Sequence, residues 1–126
     1  MNKQIINTTD APDPIGPYSQ AVKAAGLLFI SGQVALKPGT STLITATIAE
    51  EAEQVMNNLK AILNKAGLGF EHVIKTTIFL KDMSLFGPVN DVYGKYFELG
   101  FPARETVAVK GLPKDANVEI SMIASA

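Results

Sequence analysis

One long amphipathic segment in the middle of the chain constrains the fold more than any other feature. Thr47 and Glu50 match a capping box, which satisfies free backbone donors where a helix begins, and Gly67 is a typical helix end. Between these points apolar residues recur at three- and four-residue steps, so one face of the helix is expected to be buried. The inward residues are Ile48, Ala52, Val55, Leu59, Ile62 and Leu63, and those expected to point largely outward are Glu50, Glu51, Glu53, Asn57, Asn58 and Lys60.

Segments rich in β-branched residues lie on both sides of this helix and predict strands. The predicted strands are residues 4–6, 18–23, 27–34, 72–80, 104–110 and 118–124. Gly26 suits a tight hairpin turn between the second and third strands, and the turn at 112–117 is expected to join the last two strands as a pair. A second helix is predicted over 84–99, with Leu85, Val89, Val92, Tyr93 and Tyr96 inward.

The resulting order is βββαβαββ, an α+β fold in which two helices pack on one face of a mixed β-sheet. No repeat, linker or low-complexity segment interrupts residues 1–126, so one domain is expected. The first seven residues lack the apolar stretch of a secretory signal, and the longest apolar run, 24–30, is too short to cross a bilayer. We therefore expect a soluble, cytoplasmic protein with no membrane partner.

The composition indicates association between identical chains. Hydrophobic residues make up 47% of the sequence and charged residues 18%, whereas about 25% of an average soluble domain is charged. A small domain leaves much of its surface exposed, so burial of this apolar surplus between copies is expected. The net charge is -1 with acids and bases interspersed, which makes nucleic acid a poor candidate partner. Because the chain has no cysteine, disulfides and thiolate nucleophiles are excluded.

The last two predicted strands carry the side chains of greatest chemical interest. Because side chains alternate across a strand, Arg104 and Thr106 share one face while Val107 and Val109 share the other. If the valine-rich face packs on the helices, Arg104 and Glu119 are expected on the uncovered face, lining a cleft at a subunit interface. The simpler interpretation of Arg104 and Glu119 is a plain salt bridge, which the spacing alone does not exclude.

Several motifs occur in order along nearly the whole chain. They are Ile15-Gly16-Pro17-Tyr18-Ser19-Gln20-Ala21, Ile30-Ser31-Gly32-Gln33, Val89-Asn90, Pro102-Ala103-Arg104, Leu112-Pro113-Lys114-Asp115 and Val118-Glu119-Ile120. In this combination the chain resembles the Rid family of reactive-intermediate deaminases, of the RidA/YjgF type. The resemblance implies a homotrimer with a chorismate-mutase-like α+β fold and clefts at its subunit interfaces. It also implies a hydrolytic deaminase that converts enamine or imine intermediates such as 2-aminoacrylate to 2-keto acids and ammonia, with no metal and no organic cofactor.

The resemblance also implies roles for particular residues. Arg104 would hold the substrate carboxylate, because a planar guanidinium can donate two parallel charge-assisted hydrogen bonds. Glu119 would orient the attacking water and exchange protons with it. The expected substrate-binding residues are Tyr18, Ser31, Gly32, Asn90 and Thr106, and Thr106 would act through its backbone.

Two positions depart from the family pattern. Thr106 stands where many relatives have cysteine, which matters little if the backbone makes the contact. Glu105 stands where a small or apolar residue is common. Alternation places Glu105 on the strand face opposite Arg104, but at a strand end it could bend toward the cleft and repel an anionic substrate.

Two other functions remain open on the same resemblance. One is a non-catalytic, chaperone-like or ligand-binding trimer that uses the cleft to hold a small carboxylate, since fold alone does not determine activity. The other is the ribonuclease or translation-inhibitor activity attributed to some relatives. The charge balance and the single histidine of this chain argue against nucleic-acid cleavage.

Overall fold

Six strands form one mixed sheet and two α-helices pack on one of its faces in a computed structural model, which describes residues 2–126. The strands are β1 (Gln4–Ile6), β2 (Ala21–Ala24), β3 (Leu27–Gln33), β4 (Val73–Leu80), β5 (Ala103–Ala108) and β6 (Val118–Ser125). The helices are α1 (Ile48–Lys65) and α2 (Phe86–Tyr93). The predicted α+β class and the order βββαβαββ are confirmed.

The order of strands across the sheet is β1-β2-β3-β6-β4-β5, in which only β4 and β5 are parallel neighbours. The predicted pairing of the last two strands is wrong, because β4 lies between β5 and β6. Parallel neighbours need a crossover connection, which α2 supplies between β4 and β5. The turn at 112–117 therefore carries the chain past β4, and β6 inserts between β3 and β4.

Both helices cover the same face of the sheet. In β6 the side chains of Val118, Ile120 and Met122 are buried, whereas Glu119 and Ser121 are only partly buried and point to the other face. The buried apolar residues of α1 are Ala52, Val55, Met56, Leu59, Ile62 and Leu63, in good agreement with the predicted inward face. Within residues 2–126 neither helix combines the length and the hydropathy that a membrane-spanning segment needs.

The other face of the sheet has no helix on it and carries several apolar side chains beside polar ones. We call it the open face, and its apolar members are Ile5, Val22, Phe29, Phe79, Val107 and Ile123. The side chain of Phe29 is 44% exposed although it stands in the middle of a strand. Part of the apolar surplus of the sequence thus lies on a surface that no helix covers, which is the arrangement expected of a contact surface between chains.

Two polar residues of α1 differ from their predicted outward orientation, because both are fully buried. Asn58 donates hydrogen bonds to the carbonyls of Val34 and Leu36, at 3.2 and 3.0 Å. The Glu51 carboxylate accepts hydrogen bonds from the backbone N–H and the side-chain amide of Asn117, at 2.8 and 2.7 Å. Both side chains satisfy polar groups of irregular segments that pack against the helix, a demand that helical periodicity does not reveal.

The second predicted helix, 84–99, is shorter than expected and is divided into three parts. α2 itself is flanked by 3₁₀ turns at Met83–Leu85 and Gly94–Tyr96. Gly94 lowers helix propensity at the point where the α-helix ends, and Gly100, with a φ of 71°, turns the chain toward β5. The buried residues Val89, Val92 and Tyr93 agree with the predicted inward face.

Candidate active site

The predicted site residues separate into two groups on opposite faces of the sheet. Arg104 of β5 is in register with Thr76 of β4, whose side chain is buried beneath the helices. Glu119 of β6 lies between two buried neighbours and points to the open face. The expectation that Arg104 lies on the uncovered face is therefore wrong. Val107 occupies that face instead, because the open face is itself apolar.

Arg104 lies in a surface cleft that we call the arginine cleft. Its lining residues are Asn90, Tyr93, Gly94, Phe101, Pro102 and Arg104. The guanidinium carbon of Arg104 is 5.1 Å from the ring centre of Tyr93 and 5.6 Å from that of Phe86. Among residues 2–126 we find no hydrogen bond or ion pair made by the Arg104 side chain. The salt-bridge interpretation is thus wrong within one chain, and the guanidinium N–H groups can donate to an anion.

Thr106 follows Arg104 on the same face of β5, two residues along the strand. Its hydroxyl oxygen is buried and has no hydrogen-bond partner within residues 2–126. Phe101, at the entrance of the arginine cleft, is 70% exposed. The arginine cleft therefore brings Arg104 and Asn90 together, with Thr106 close by and an apolar rim.

Tyr18, Gly32 and Glu119 line a second cleft, which we call the carboxylate cleft. Burial raises the pKa of the Glu119 carboxyl above its ordinary value, because a half-buried group is harder to ionise. A carboxyl with a raised pKa is better suited to exchange protons near neutral pH. Three of the seven predicted site residues, Tyr18, Gly32 and Glu119, thus lie in this one cleft.

Gly32 makes room for the Glu119 carboxylate. The pairing of β3 with β6 shifts register between Ile30 and Gln33, and Gly32 lies within this irregularity. A Cβ at Gly32 would be 2.6 Å from Oε2 of Glu119, closer than real Cβ atoms approach their neighbours. Ser31 stands next to it, and its hydroxyl donates to the carbonyl of Ser19 at 2.6 Å. The Ser31 side chain therefore fixes the loop, and the backbone at 31–32 borders the carboxylate.

Gln20 organises the proline-rich loop that forms the wall of the carboxylate cleft. Its buried side chain accepts a hydrogen bond from the Thr8 N–H at 2.8 Å and donates to the carbonyls of Thr8 and Pro12 at 3.0 and 2.9 Å. These bonds hold the chain in an irregular path, so β2 begins at Ala21, not at the predicted residue 18. Tyr18 remains in the loop, where its hydroxyl accepts from the Ile15 N–H at 3.3 Å.

Glu105 points away from the arginine cleft. Its carboxylate accepts a hydrogen bond from the Thr77 hydroxyl at 2.8 Å and pairs with Lys75 at 3.1 Å. The Thr77 hydrogen bond, followed by Lys75, lowers the pKa of this carboxyl. The predicted alternation is confirmed, and these partners on β4 keep Glu105 from bending toward Arg104.

Several residues that shape the two clefts were not singled out by the sequence. The helical pattern predicts only core packing for Tyr93, and it predicts no role for Phe86, Gln20 or Phe101. A usable signal existed for Phe86 and Tyr93, because residues seven apart lie on the same side of a helix. Gln20 belongs to the motif 15–21, but the motif does not reveal its structural role, because its hydrogen-bond partners lie eight to twelve positions earlier in the chain.

The family model described as Endoribonuclease L-PSP matches residues 8–126. A mouse protein named 2-iminobutanoate/2-iminopropanoate deaminase is 47% identical over 122 residues, covering 97% of this chain and 90% of the relative. A solved structure of a protein of unknown function from the conserved Rid protein family, YyfA of Yersinia pestis, superposes with a TM-score of 0.96 at 44% identity, covering 99% and 100% of the two chains. The structure of E. coli TdcF with bound serine gives a TM-score of 0.93 at 38% identity, covering 98% of each chain.

Proposed function

Because the chain belongs to the Rid family, we propose that it is a hydrolytic deaminase acting on enamine and imine forms of amino acids. The substrate class is 2-aminoacrylate and related intermediates such as 2-iminopropanoate and 2-iminobutanoate, and the products are a 2-keto acid and ammonia. The observation that carries the proposal is Arg104, a guanidinium with no acid partner within residues 2–126, in a cleft rimmed by apolar side chains. Such a group is suited to binding the carboxylate that all these substrates share.

The two clefts belong to one active site in this proposal, and that requires a second copy of the chain. Arg104 and Glu119 point to opposite faces of one sheet, so one chain does not bring both to the same small molecule. We propose a homotrimer in which the arginine cleft of one subunit meets the carboxylate cleft of the next. The uncovered apolar open face supports this assembly, because it offers a surface for burial between subunits.

The proposed reaction uses Arg104 for binding and Glu119 for proton transfer. Tautomerisation of the enamine gives an imine, and water then adds to the imine carbon. As the carbon–oxygen bond forms, the π electrons of the protonated C=N group pass to nitrogen, and Glu119 accepts a proton from the water. Glu119 returns this proton to the nitrogen of the resulting carbinolamine, whose C–N bond then breaks. Ammonia leaves as the hydroxyl group gives up its proton to water and the carbonyl forms.

Positioning and one acid–base group are sufficient for this chemistry. The intermediates already hydrolyse in water, so only a moderate acceleration is required. A positioned acid–base group contributes on the order of 100- to 10,000-fold, and orientation by Arg104 adds to it. Tyr18, Asn90 and the backbone at Gly32 and Thr106 would enclose the substrate between the two charged groups.

The test is release of ammonia and keto acid when 2-aminoacrylate is generated in the assay. Wild type is compared with Arg104→Ala and Glu119→Gln, and with Lys60→Ala as a control on the exposed side of α1. Arg104→Ala is expected to abolish the acceleration and Glu119→Gln to lower kcat by at least about 100-fold, while the control keeps full activity. Equal rates with and without the wild-type protein would rule out the deaminase.

A non-catalytic carboxylate-binding trimer is the second candidate, and the bound serine of the TdcF structure favours it. An amino acid carries the same carboxylate that Arg104 would hold. If the wild type binds 2-ketobutyrate in an Arg104-dependent manner but does not accelerate hydrolysis, this second function is correct. The same set of variants therefore separates the two candidates.

A further inference from the structure

The side chains beside the guanidinium of Arg104 are two aromatic rings, and within residues 2–126 no acid pairs with it. Phe86 and Tyr93 lie seven residues apart on one side of α2, and both rings are directed at the guanidinium of Arg104. The distances from the guanidinium carbon to the ring centres, 5.6 and 5.1 Å, are within the range of cation–π attraction. We call these two residues the aromatic clamp.

Tyr93 is itself fixed to the strand next to the one that carries Arg104. Its hydroxyl donates to Oγ1 of Thr76 at 2.9 Å, and this hydrogen bond is buried. Thr76 is fully buried and is the register partner of Arg104 across β4 and β5. Tyr93 is therefore connected to Arg104 in two ways. Its ring contacts the guanidinium directly, and its hydroxyl is bonded to Thr76, the register partner of Arg104. Burial raises the pKa of Tyr93, so the phenol stays protonated and can donate at neutral pH.

Whether the partner of Arg104 is an aromatic ring or an acid determines whether its N–H donors remain available to a ligand. A carboxylate beside Arg104 would orient it but would also occupy its N–H donors and compete with the substrate. A ring attracts the cation through its face and leaves the N–H edge of the guanidinium available. The cation–π attraction strengthens as water is excluded, so it persists when a second subunit covers the cleft.

We propose that Phe86 and Tyr93 are positioning residues that hold the Arg104 guanidinium in its substrate-binding orientation, and that the Tyr93–Thr76 hydrogen bond fixes the clamp. This inference rests on the proposed role of Arg104 in binding a carboxylate. It gives the aromatic side chains of α2 a role at the cleft in addition to core packing. The clamp acts on substrate affinity, because neither ring is part of the proposed proton transfer at Glu119.

The clamp is tested with Tyr93→Leu, Phe86→Leu and the conservative Tyr93→Phe. Phe70→Leu is the matched control, because Phe70 packs on Tyr96 and Phe97 and makes no contact with Arg104. Each leucine variant of the clamp is expected to raise KM, and the Kd of 2-ketobutyrate measured by calorimetry, about tenfold, with kcat within about twofold of wild type. Tyr93→Phe keeps the ring and should recover most of the affinity.

A purely structural role would give a different pattern. Phe70→Leu and Tyr93→Leu would then lower the melting temperature alike and leave KM unchanged. Wild-type KM and Kd in both Tyr93→Leu and Phe86→Leu would overturn the proposal. A rise in KM for Phe70→Leu equal to that for Tyr93→Leu would overturn it as well.

The nuclear magnetic resonance of the Arg104 side chain separates this inference from the proposed function. Rings over the guanidinium shift the Nε–H resonance of Arg104 upfield, and Tyr93→Leu should move it back, whether or not the protein is an enzyme. If the wild type shows this shift but hydrolyses nothing, the deaminase proposal fails and the clamp stands. If hydrolysis occurs but the resonance is the same in wild type and Tyr93→Leu, the clamp fails and the deaminase stands.

Discussion

The carboxylate of Glu119 lies over Gly32, at a place where a Cβ would come within 2.6 Å of Oε2. Substitution of Gly32 by alanine must therefore displace the carboxylate. In the proposed mechanism such a displacement would move Glu119 away from the water that it would activate, and we expect Gly32→Ala to lower kcat about tenfold or more. Binding of 2-ketobutyrate should change much less, because Arg104 is the group proposed to hold the ligand's carboxylate. Steady-state kinetics and calorimetry on the same preparation check both parts.

Gly111→Ala is the control for this prediction. A Cβ at Gly111 has nothing within 4 Å, so this variant should keep the wild-type kcat. If Gly32→Ala also keeps the wild-type kcat, Glu119 does not need its present position for catalysis.

The raised pKa of Glu119 predicts the pH dependence of both activity and stability. As a base, Glu119 must be ionised, so kcat/KM should fall as pH decreases through a pKa above the ordinary value of 4.5, and Glu119→Gln should lack this decrease. For stability, a carboxyl with a raised folded-state pKa stabilises the fold below its unfolded-state pKa, and this contribution is lost as pH rises through the folded-state pKa.

Urea unfolding of wild type and Glu119→Gln at pH 4 and pH 7 tests the stability part. The free energy of unfolding of the wild type, relative to that of Glu119→Gln, should be higher at pH 4 than at pH 7. A difference that changes in the opposite direction would mean that Glu119 is stabilised in its charged form in the assembled protein.

Glu105 is expected to have little influence on substrate binding, although it is the next residue to Arg104. Its hydrogen bond with Thr77 and its ion pair with Lys75 keep the carboxylate on the opposite strand face. Glu105→Gln should therefore leave KM for the anionic substrate within about twofold of wild type, since exposed charges are screened by salt. A KM that falls tenfold in Glu105→Gln would show that the carboxylate repels the substrate after all.

Glu51 is expected to be more important for stability than the exposed glutamate Glu53 on the same helix. Glu51→Ala leaves the buried N–H groups of Asn117 and Val118 without their acceptor. We expect it to lower the free energy of unfolding by about 3 kcal/mol, because unsatisfied buried donors are unfavourable. Glu53→Ala, at an exposed position of the same helix, should lie within about 0.5 kcal/mol of wild type. Urea unfolding curves of both variants provide the measurement, and equal effects would contradict the assigned role of Glu51.

The sequence was sufficient to predict the α+β class, the element order and the inward face of α1, because these follow from local periodicity and capping. It was not sufficient to predict the partner of β5. A short turn between two strands favours a hairpin, and only the crossover through α2 shows that β5 pairs in parallel with β4. Non-local pairing of this kind has no signature in the turn itself.

The prediction of the sheet face on which Arg104 lies was wrong for a related reason. Alternation correctly separated Arg104 from Val107, but the assignment of faces assumed that the more apolar side packs on the helices. In this sheet both faces carry apolar side chains, since Phe29 and Val107 are exposed on the open face. Where both sides of a sheet are apolar, alternation gives relative orientation only. The motifs identified the candidate site residues, but not their division between two clefts.

Because Arg104 and Glu119 point to opposite faces of the sheet, variants that lack one or the other can be tested for complementation. If each working site takes its arginine from one chain and its carboxylate from another, two inactive chains can complement each other. Trimers that form at random from equal amounts of Arg104→Ala and Glu119→Gln subunits would have both groups intact at about one quarter of their sites. Activity that returns when the two unfolded variants are mixed and refolded together, but not when the folded trimers are mixed, would demonstrate a site shared between neighbours.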